Sequence, residues 1–207
     1  MRYKTKKLIT YIITTVLTIS QLFSMNLGNL ATITSKAATT RMANVVLFVD
    51  FQDTDHSQHT NTAISECFLH NPQTTFDLFN GSDTVNTGLA EYISNISYGQ
   101  LEITNVFPQY NASTGTITPF KLSKNVSEYS GTNSSEMISE ALVKLEASKL
   151  LDENVDVDLN DDGLIDNVIL VAAYTGTDAE GNDIITSHKS EYGGYETVNE
   201  LRAGTYN

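Results

Sequence analysis

This chain of 207 residues has very little cysteine, proline and tryptophan, with one Cys, three Pro and no Trp. A single Cys cannot form an intramolecular disulfide, which excludes the small disulfide-rich secreted scaffolds. Basic residues are also scarce, because 12 Lys and Arg face 25 Asp and Glu and the formal net charge is −13. Nucleic-acid binding needs clustered positive charge, so this composition argues against a nucleic-acid partner.

Apolar residues, in contrast, are sufficient for a folded domain. They make up 40% of the chain, which argues against wholesale disorder. The length suits one domain, since domains mostly run to about 100–200 residues.

The first 37 residues differ from the rest in charge, because they contain five basic residues and no acidic one. A basic head, MRYKTKK, precedes an uncharged stretch from Leu8 to Ser35, and small residues flank Lys36. A basic head, an apolar middle and a small-residue exit are typical of a secretory signal peptide. We therefore predict cleavage after Ala37 and a secreted, extracellular mature chain.

The alternative for this segment is an uncleaved membrane anchor. Thr, Ser and Gln interrupt the apolar stretch, which makes it weak for a stable span of about 20 residues. No second stretch is apolar enough to cross a bilayer, so no membrane span is expected after cleavage. Residues 38–207 then hold seven basic and 25 acidic residues, a formal net charge of −18.

Three segments of residues 38–207 have the patterns of strands. Val45–Val49 is a continuous apolar run and predicts a strand buried on both faces. Apolar and polar residues alternate in 100–107, which predicts a half-exposed strand. A second apolar run at 168–173 predicts another buried strand.

Two segments have helical patterns. Apolar residues at 89, 92, 93 and 96 fall on one helical face, and Gly99 can end that helix. A second helix is predicted from Asn133, with Glu136 as its capping-box partner, to Leu151. Strands and helices thus alternate along the chain, which indicates an α/β or α+β fold with helices packed on a mixed sheet.

The strongest chemical signal is the acidic segment 156–166. Counted from Asp158, oxygen-bearing groups recur at positions 1, 3, 5, 7 and 9, which is spacing that can surround a hard cation such as Ca²⁺. Gly163 allows a sharp turn, and Ile165 anchors the loop to the core. Position 12 is Ile169, so the bidentate Glu of a complete EF-hand is missing. The predicted calcium ligands are the side chains of Asp158, Asn160, Asp162 and Asp166 and the carbonyl of Leu164.

The alternative is a solvated acidic turn between a helix and a strand. Against it, close carboxylates repel one another by several tenths of a kcal/mol per pair in water unless a cation lies between them. We therefore favour the calcium loop.

Other candidate residues carry weaker signals. Five acidic residues and histidines follow the first buried strand, where ligand sites of α/β proteins often lie, but an exposed polar loop has the same composition. His188 is interpreted as a solvated loop residue, and Cys67 as an unreactive thiol that is at least partly buried. The residues after the first strand are Asp50, Asp53, Asp55, His56 and His59.

Taken in order, several segments resemble the immune inhibitor A-type secreted metallopeptidases (peptidase family M-six), a zincin group. The most specific are the turn SYG-x-L after a helix and the loop DG-x-ID before an apolar strand. The matching segments are VVLFVDFQD at 45–53, LAEYISNISYGQLEITNVF at 89–107, DVDLNDDGLIDNVILVAAYTGTDAEGN at 156–182 and SHKSEYGG at 187–194.

The resemblance implies a zincin-like fold and a secreted, calcium-stabilised, zinc-dependent endopeptidase acting on extracellular proteins. In such enzymes two His of an HExxH helix hold zinc, and the Glu between them polarises the bound water. No HExxH occurs in this sequence, and the matched region ends just before its expected place. We therefore expect residues 38–207 to be the N-terminal portion of such a domain, incomplete at its C-terminus, with no catalytic residue and no zinc ligand assigned.

Two explanations for the missing motif remain open. The chain is either a truncated or fragmentary gene product, or a degenerate relative that keeps only the N-terminal half. A different class of function, a non-enzymatic secreted calcium-binding module, is the alternative to the peptidase.

Overall fold

A long apolar strand, β1 (Thr40–Asp50), lies inside the main sheet of the protein. The structure is a computed structural model that describes residues 39–54, 71–82, 87–129, 134–172, 176, 180, 184–185 and 190–206. The predicted signal peptide and Cys67 lie outside these ranges. The helices in the described part are α1 (Pro72–Asn80), α2 (Leu89–Ile96) and α3 (Ser134–Ser148), with a 3-10 helix at Val126–Tyr129. The strands that follow β1 are β2 (Leu101–Val106), β3 (Tyr110–Asn111), β4 (Thr116–Ile117), β5 (Phe120–Lys121), β6 (Leu164–Ile165), β7 (Asn167–Ala172), β8 (Ser190–Glu191), β9 (Thr197–Val198), β10 (Leu201–Ala203) and β11 (Thr205–Tyr206).

The main sheet has a parallel centre. Its strand order is β2-β1-β7-β11-β8, and β5 also pairs with β1. Strands β2, β5 and β7 all run parallel to β1, and β11 runs parallel to β7. The expected α/β class is confirmed by this sheet and its helices. Two smaller sheets, β6-β10-β9 and β3-β4, complete the described strands.

The three predicted strands are all present. Residues Val45–Val49 are 0% exposed, as expected for a strand covered on both faces. The observed β1 begins five residues earlier than this apolar run, because its amino end pairs with β2 from Thr40 onward. Strand β2 shows the predicted alternation of exposed and partly buried residues.

Helix α3 packs its apolar face into the main core, as the periodicity predicts. Its end differs from the prediction: the helix stops at Ser148, and Lys149 takes a left-handed conformation with φ of +52°. Leu151 is therefore part of the turn that follows the helix, and its side chain is buried there. The buried residues of the helix are Met137, Ile138, Ala141, Leu142 and Leu145.

Helix α2 has the predicted bounds but a different environment. None of its residues is buried, and Tyr92 and Ile96 are 53% and 55% exposed. The helix ends as expected, because Gly99 has a φ of +73° and its N–H donates to the Ser94 carbonyl at 2.8 Å. It packs against β2, an outer strand of the sheet order, so only part of its surface meets the fold.

One edge of β1 is shared by β2, β5 and a side chain. Strand β2 pairs with β1 as far as Val45, and β5 begins pairing at Val49. Between them, the buried Gln109 amide accepts the Phe48 N–H at 2.7 Å and donates to the Phe48 carbonyl at 2.8 Å. The same amide nitrogen donates to the Thr118 carbonyl at 3.0 Å. The Gln109 side chain therefore supplies, between β2 and β5, the hydrogen bonds that the backbone of a neighbouring strand would make.

Three asparagines cross the parallel centre of the sheet at one register position. Asn44 of β1 lies opposite Asn105 of β2 and Asn167 of β7. The Asn167 amide donates to the Asn44 side-chain oxygen at 2.8 Å, and the Asn44 amide donates to Asn105 at 2.8 Å. Asn44 is 1% exposed, so these bonds satisfy groups that would be costly to bury alone.

None of the helices in the described ranges is long and apolar enough to span a membrane.

Candidate metal-binding loop

The acidic segment forms a tight loop between α3 and β7. Two residues in it have positive φ angles, Asp161 at +58° and Gly163 at +82°. The expected turn at Gly163 is thus present, and Asp161 adds a second one. Ile165 follows in β6 and is 0% exposed, so the loop is anchored in the core as the sequence predicts.

Three of the predicted ligands are joined by hydrogen bonds within the loop. The Asp158 carboxylate accepts the Asp162 N–H at 2.9 Å through Oδ1 and the Gly163 N–H at 2.8 Å through Oδ2. Asn160 Oδ1 also accepts the Asp162 N–H at 2.9 Å, and its amide donates to Asp162 Oδ2 at 3.0 Å. A carboxylate has about four acceptor positions, so two N–H groups do not saturate Asp158.

Asp166 connects the loop to the sheet. Its Oδ2 atom accepts the Leu159 N–H at 3.2 Å and the Ala43 N–H of β1 at 2.7 Å. Its Oδ1 atom is buried and has no hydrogen-bond partner among the described residues. A buried carboxylate oxygen without a partner is unfavourable, and an oxygen-binding cation would satisfy it.

The loop carries negative charge with no positive side chain close to it among the described residues. Burial raises the pKa of Asp166, the N–H groups of Ala43 and Leu159 lower it, and the charges of Asp158 and Asp162 raise it again, leaving the pKa above its ordinary value. In the described part of the chain, no Lys or Arg lies within salt-bridge distance of a loop carboxylate. The negative charge is therefore not neutralised by the described part of the protein.

The loop is not a closed ligand cage. The described residues contain no group of three or more His, Cys, Asp or Glu side chains positioned to hold a metal ion. Leu164, predicted to offer its carbonyl, donates its N–H to Asp162 Oδ1 at 2.9 Å, and the carbonyl's role stays a prediction. Ion binding would thus need the carboxylates of the loop to come closer together than they are in this structure.

Of the weaker candidates, the aspartate that ends β1 and one that follows it have structural partners. Asp50, whose side chain is 5% exposed, forms a 3.1 Å salt bridge with Lys121 and accepts the Phe51 N–H at 2.9 Å. Asp53 accepts the Val126 N–H at 3.0 Å and so fixes the start of the 3-10 helix. The other candidates, Asp55, His56, His59 and His188, lie outside the described residues.

Two hydrogen-bond donors in this region could not be predicted from the sequence. The Ala43 N–H reaches Asp166 across 123 residues of chain, and no local pattern reports such a contact. The Leu159 N–H belongs to the loop, but it is a backbone group that the spacing of the acids does not indicate. Backbone donors carry no residue-type signal, so spacing rules cannot find them.

No protein-family model and no curated protein matches this chain. Its α/β class is established by the fold itself. What the chain does is inferred from the acidic loop and from where the fold places the segments that resemble a known family.

Proposed function

We propose that residues 38–207 are the N-terminal part of a secreted, zinc-dependent metallopeptidase domain that would act on extracellular proteins, and that its acidic loop binds calcium. The peptidase part is supported by one observation about the fold. Three segments that carry the resemblance lie together: 45–53 contains most of β1, 89–107 contains α2 and β2, and 156–182 contains the loop and β7. Strands β2, β1 and β7 are neighbours in the sheet, so these segments make up its parallel centre.

The calcium part is supported by the donor set of the loop. Carboxylate, amide and carbonyl oxygens are the ligands that Ca²⁺ takes, six to eight at a time in flexible geometry. The loop offers such oxygens from Asp158 to Asp166, and the buried Asp166 Oδ1 has no hydrogen-bond partner within the described ranges. Bound calcium would neutralise the mutual repulsion of these carboxylates and join the end of α3 to β7.

Zinc chemistry is not assigned to any residue of this chain. The sequence has no HExxH motif, and its four histidines lie outside the described residues. No catalytic step is therefore derived from the structure. We expect the 207-residue chain alone to hydrolyse no peptide bond, and casein hydrolysis that a zinc chelator abolishes would contradict this.

The alternative is a non-enzymatic secreted module that binds calcium and a surface partner. The missing HExxH motif and the acidic loop favour it. Sequencing the DNA that follows the codon for Asn207, read in all frames, separates the two proposals. An HExxH codon series shortly downstream supports the peptidase, and its absence supports the module.

Calorimetric titration of the purified chain with CaCl₂ tests the loop. We expect binding heat and a rise in melting temperature, and a weaker response to MgCl₂, because Mg²⁺ demands a stricter octahedral geometry. Asp161→Asn is the matched control, since Asp161 is not a predicted ligand and Asn tolerates its positive φ. Absence of both heat and thermal shift would refute calcium binding.

A further inference from the structure

Asp166 is in contact with two parts of the protein that the sequence keeps far apart. It closes the acidic loop through the Leu159 N–H, and it holds the amino end of β1 through the Ala43 N–H. The paired register of β1 and β7 begins one residue later, at Asn44 and Asn167. The Asp166 carboxylate therefore extends the contact between these two strands by one hydrogen bond beyond the backbone ladder.

The amino end of β1 is the part of the strand that most needs such a contact. Thr40 and Arg41 are exposed and Met42 is half-buried, whereas Val45–Val49 are completely buried. Strand ends with little buried apolar surface open locally at low free-energy cost. A hydrogen bond to a charged carboxylate is stronger than one between neutral groups, so this bond helps to keep the end paired.

We propose that calcium in the acidic loop fixes the amino end of β1, residues 40–45, through Asp166. This inference rests on the proposed calcium binding. Oδ1 of Asp166 has no partner among the described residues, whereas Oδ2 holds Ala43. An ion bound at Oδ1 would compensate the charge of the carboxylate and fix its orientation, so that Oδ2 remains directed at the Ala43 N–H.

The effect continues beyond Ala43 through polar side chains. Asn167, directly after Asp166, donates to Asn44, and Asn44 donates to Asn105 of β2. The amide of Asn105 in turn donates to Asn80 Oδ1 at the end of α1. Calcium would therefore make the junction of β7, β1 and β2 more rigid, and its influence would decrease with distance from the loop.

Hydrogen exchange of the full chain, followed by peptide mass spectrometry, tests the inference. Exchange is compared in saturating calcium and in excess chelator, for peptides covering 40–45, the loop and helix α2. We expect exchange at 40–45 to slow by about tenfold with calcium, the effect of one hydrogen bond to a charged group. Helix α2, which packs mainly against β2 and α1, should change much less.

Two variants separate a specific route from general stabilisation. In Asp166→Asn the side-chain carbonyl can still accept the Ala43 N–H, but as a weaker neutral hydrogen bond, so exchange at 40–45 should be faster than in wild type and should no longer respond to calcium. In Asp161→Asn, which removes the same charge from a non-ligand position, the calcium effect should remain. A calcium effect at 40–45 that persists in Asp166→Asn would overturn the route through Asp166.

The outcomes distinguish failure of this inference from failure of the proposed calcium binding. If calorimetry shows no calcium binding, the proposed function of the loop is wrong and the inference fails with it. If calcium binds and protects the loop but not residues 40–45, calcium binding stands and the inference alone is overturned. Equal protection of 40–45 and α2 would also overturn it, because that result indicates uniform stabilisation.

Discussion

Helix α3 and the acidic loop lead into the same strand, β7, yet they are held by opposite means. Helix α3 buries five apolar side chains in the main core. The loop has three exposed acids, Asp156, Asp161 and Asp162, and is organised by hydrogen bonds from its own backbone. Apolar packing does not depend on ions, whereas carboxylates packed together do. Stability that depends on calcium should therefore be confined to the loop and to what it contacts.

The largest effect is expected in the apolar region. Leu142→Ala removes a side chain that is 0% exposed, and buried Leu→Ala substitutions cost about 2–5 kcal/mol of unfolding free energy. Because no ion contributes there, the loss should be equal in calcium and in chelator, as measured by urea unfolding. The neighbouring Val143→Ala, at a position 53% exposed, is the control and should change stability little. If the loss of unfolding free energy in Leu142→Ala depended on calcium, the contrast between the apolar helix and the acidic loop would be wrong.

The second prediction is that a polar region without clustered carboxylates has a stability that does not depend on calcium. Gln109 is polar but buried, and Gln109→Ala would leave the Phe48 N–H and carbonyl without its amide. Each buried group deprived of a partner costs about 1–3 kcal/mol. We expect this loss to be the same with and without calcium in urea unfolding. The exposed Gln100→Ala is the control, and it should be close to neutral.

The third prediction concerns the loop itself. Asp158→Ala combined with Asp162→Ala should lower the melting temperature more in calcium than in chelator, where only the loop's own hydrogen bonds are lost. The expected loss is the linkage term, about 2.7 kcal/mol when calcium is 100-fold above its dissociation constant. Thermal unfolding in both conditions measures it, with Asp161→Asn as the control at a position that is not a predicted ligand. Equal destabilisation in calcium and chelator would remove the calcium explanation.

The smallest effect is expected from pH, at a carboxylate of α3. Burial raises the pKa of Glu140, but hydrogen bonds from Tyr129 and Ser123 outweigh it and leave the pKa below its ordinary value of 4.5. Stability from Glu140 is therefore fully present above the unfolded-state pKa and is lost as pH falls through the lower folded-state pKa. Glu140→Gln should flatten the acid side of the stability profile, while the exposed Glu153→Gln should not. An unchanged acid slope in Glu140→Gln would contradict the assignment.

Much of the fold could be predicted from short-range patterns. The apolar run at 45–49, the alternation in β2 and the helical periodicity of α3 each report an element whose neighbours in sequence are also its neighbours in space. The helix α2 shows where this reasoning ends. Its apolar residues are spaced like those of α3, yet none is buried. Periodicity defines an apolar face, but only the packing of distant segments decides whether that face is covered.

The candidate site divides in the same way. The spacing from Asp158 to Asp166 and the turn at Gly163 are properties of a few consecutive residues, so the loop and its donor atoms were predictable. The hydrogen bond from Ala43 and the unpartnered Oδ1 of Asp166 were not, because both depend on the placement of β1 beside β7.

The sequence by itself therefore determined the strands β1, β2 and β7, the helices α2 and α3, and where oxygen ligands are concentrated. These properties follow from local backbone preference and from residue type. The tertiary structure alone decided that Gln109 fills the edge of β1, that α2 stays exposed, and that the acidic loop contacts the amino end of β1. Those contacts join residues far apart in the chain, and they form only when burial of the apolar strands brings the segments together.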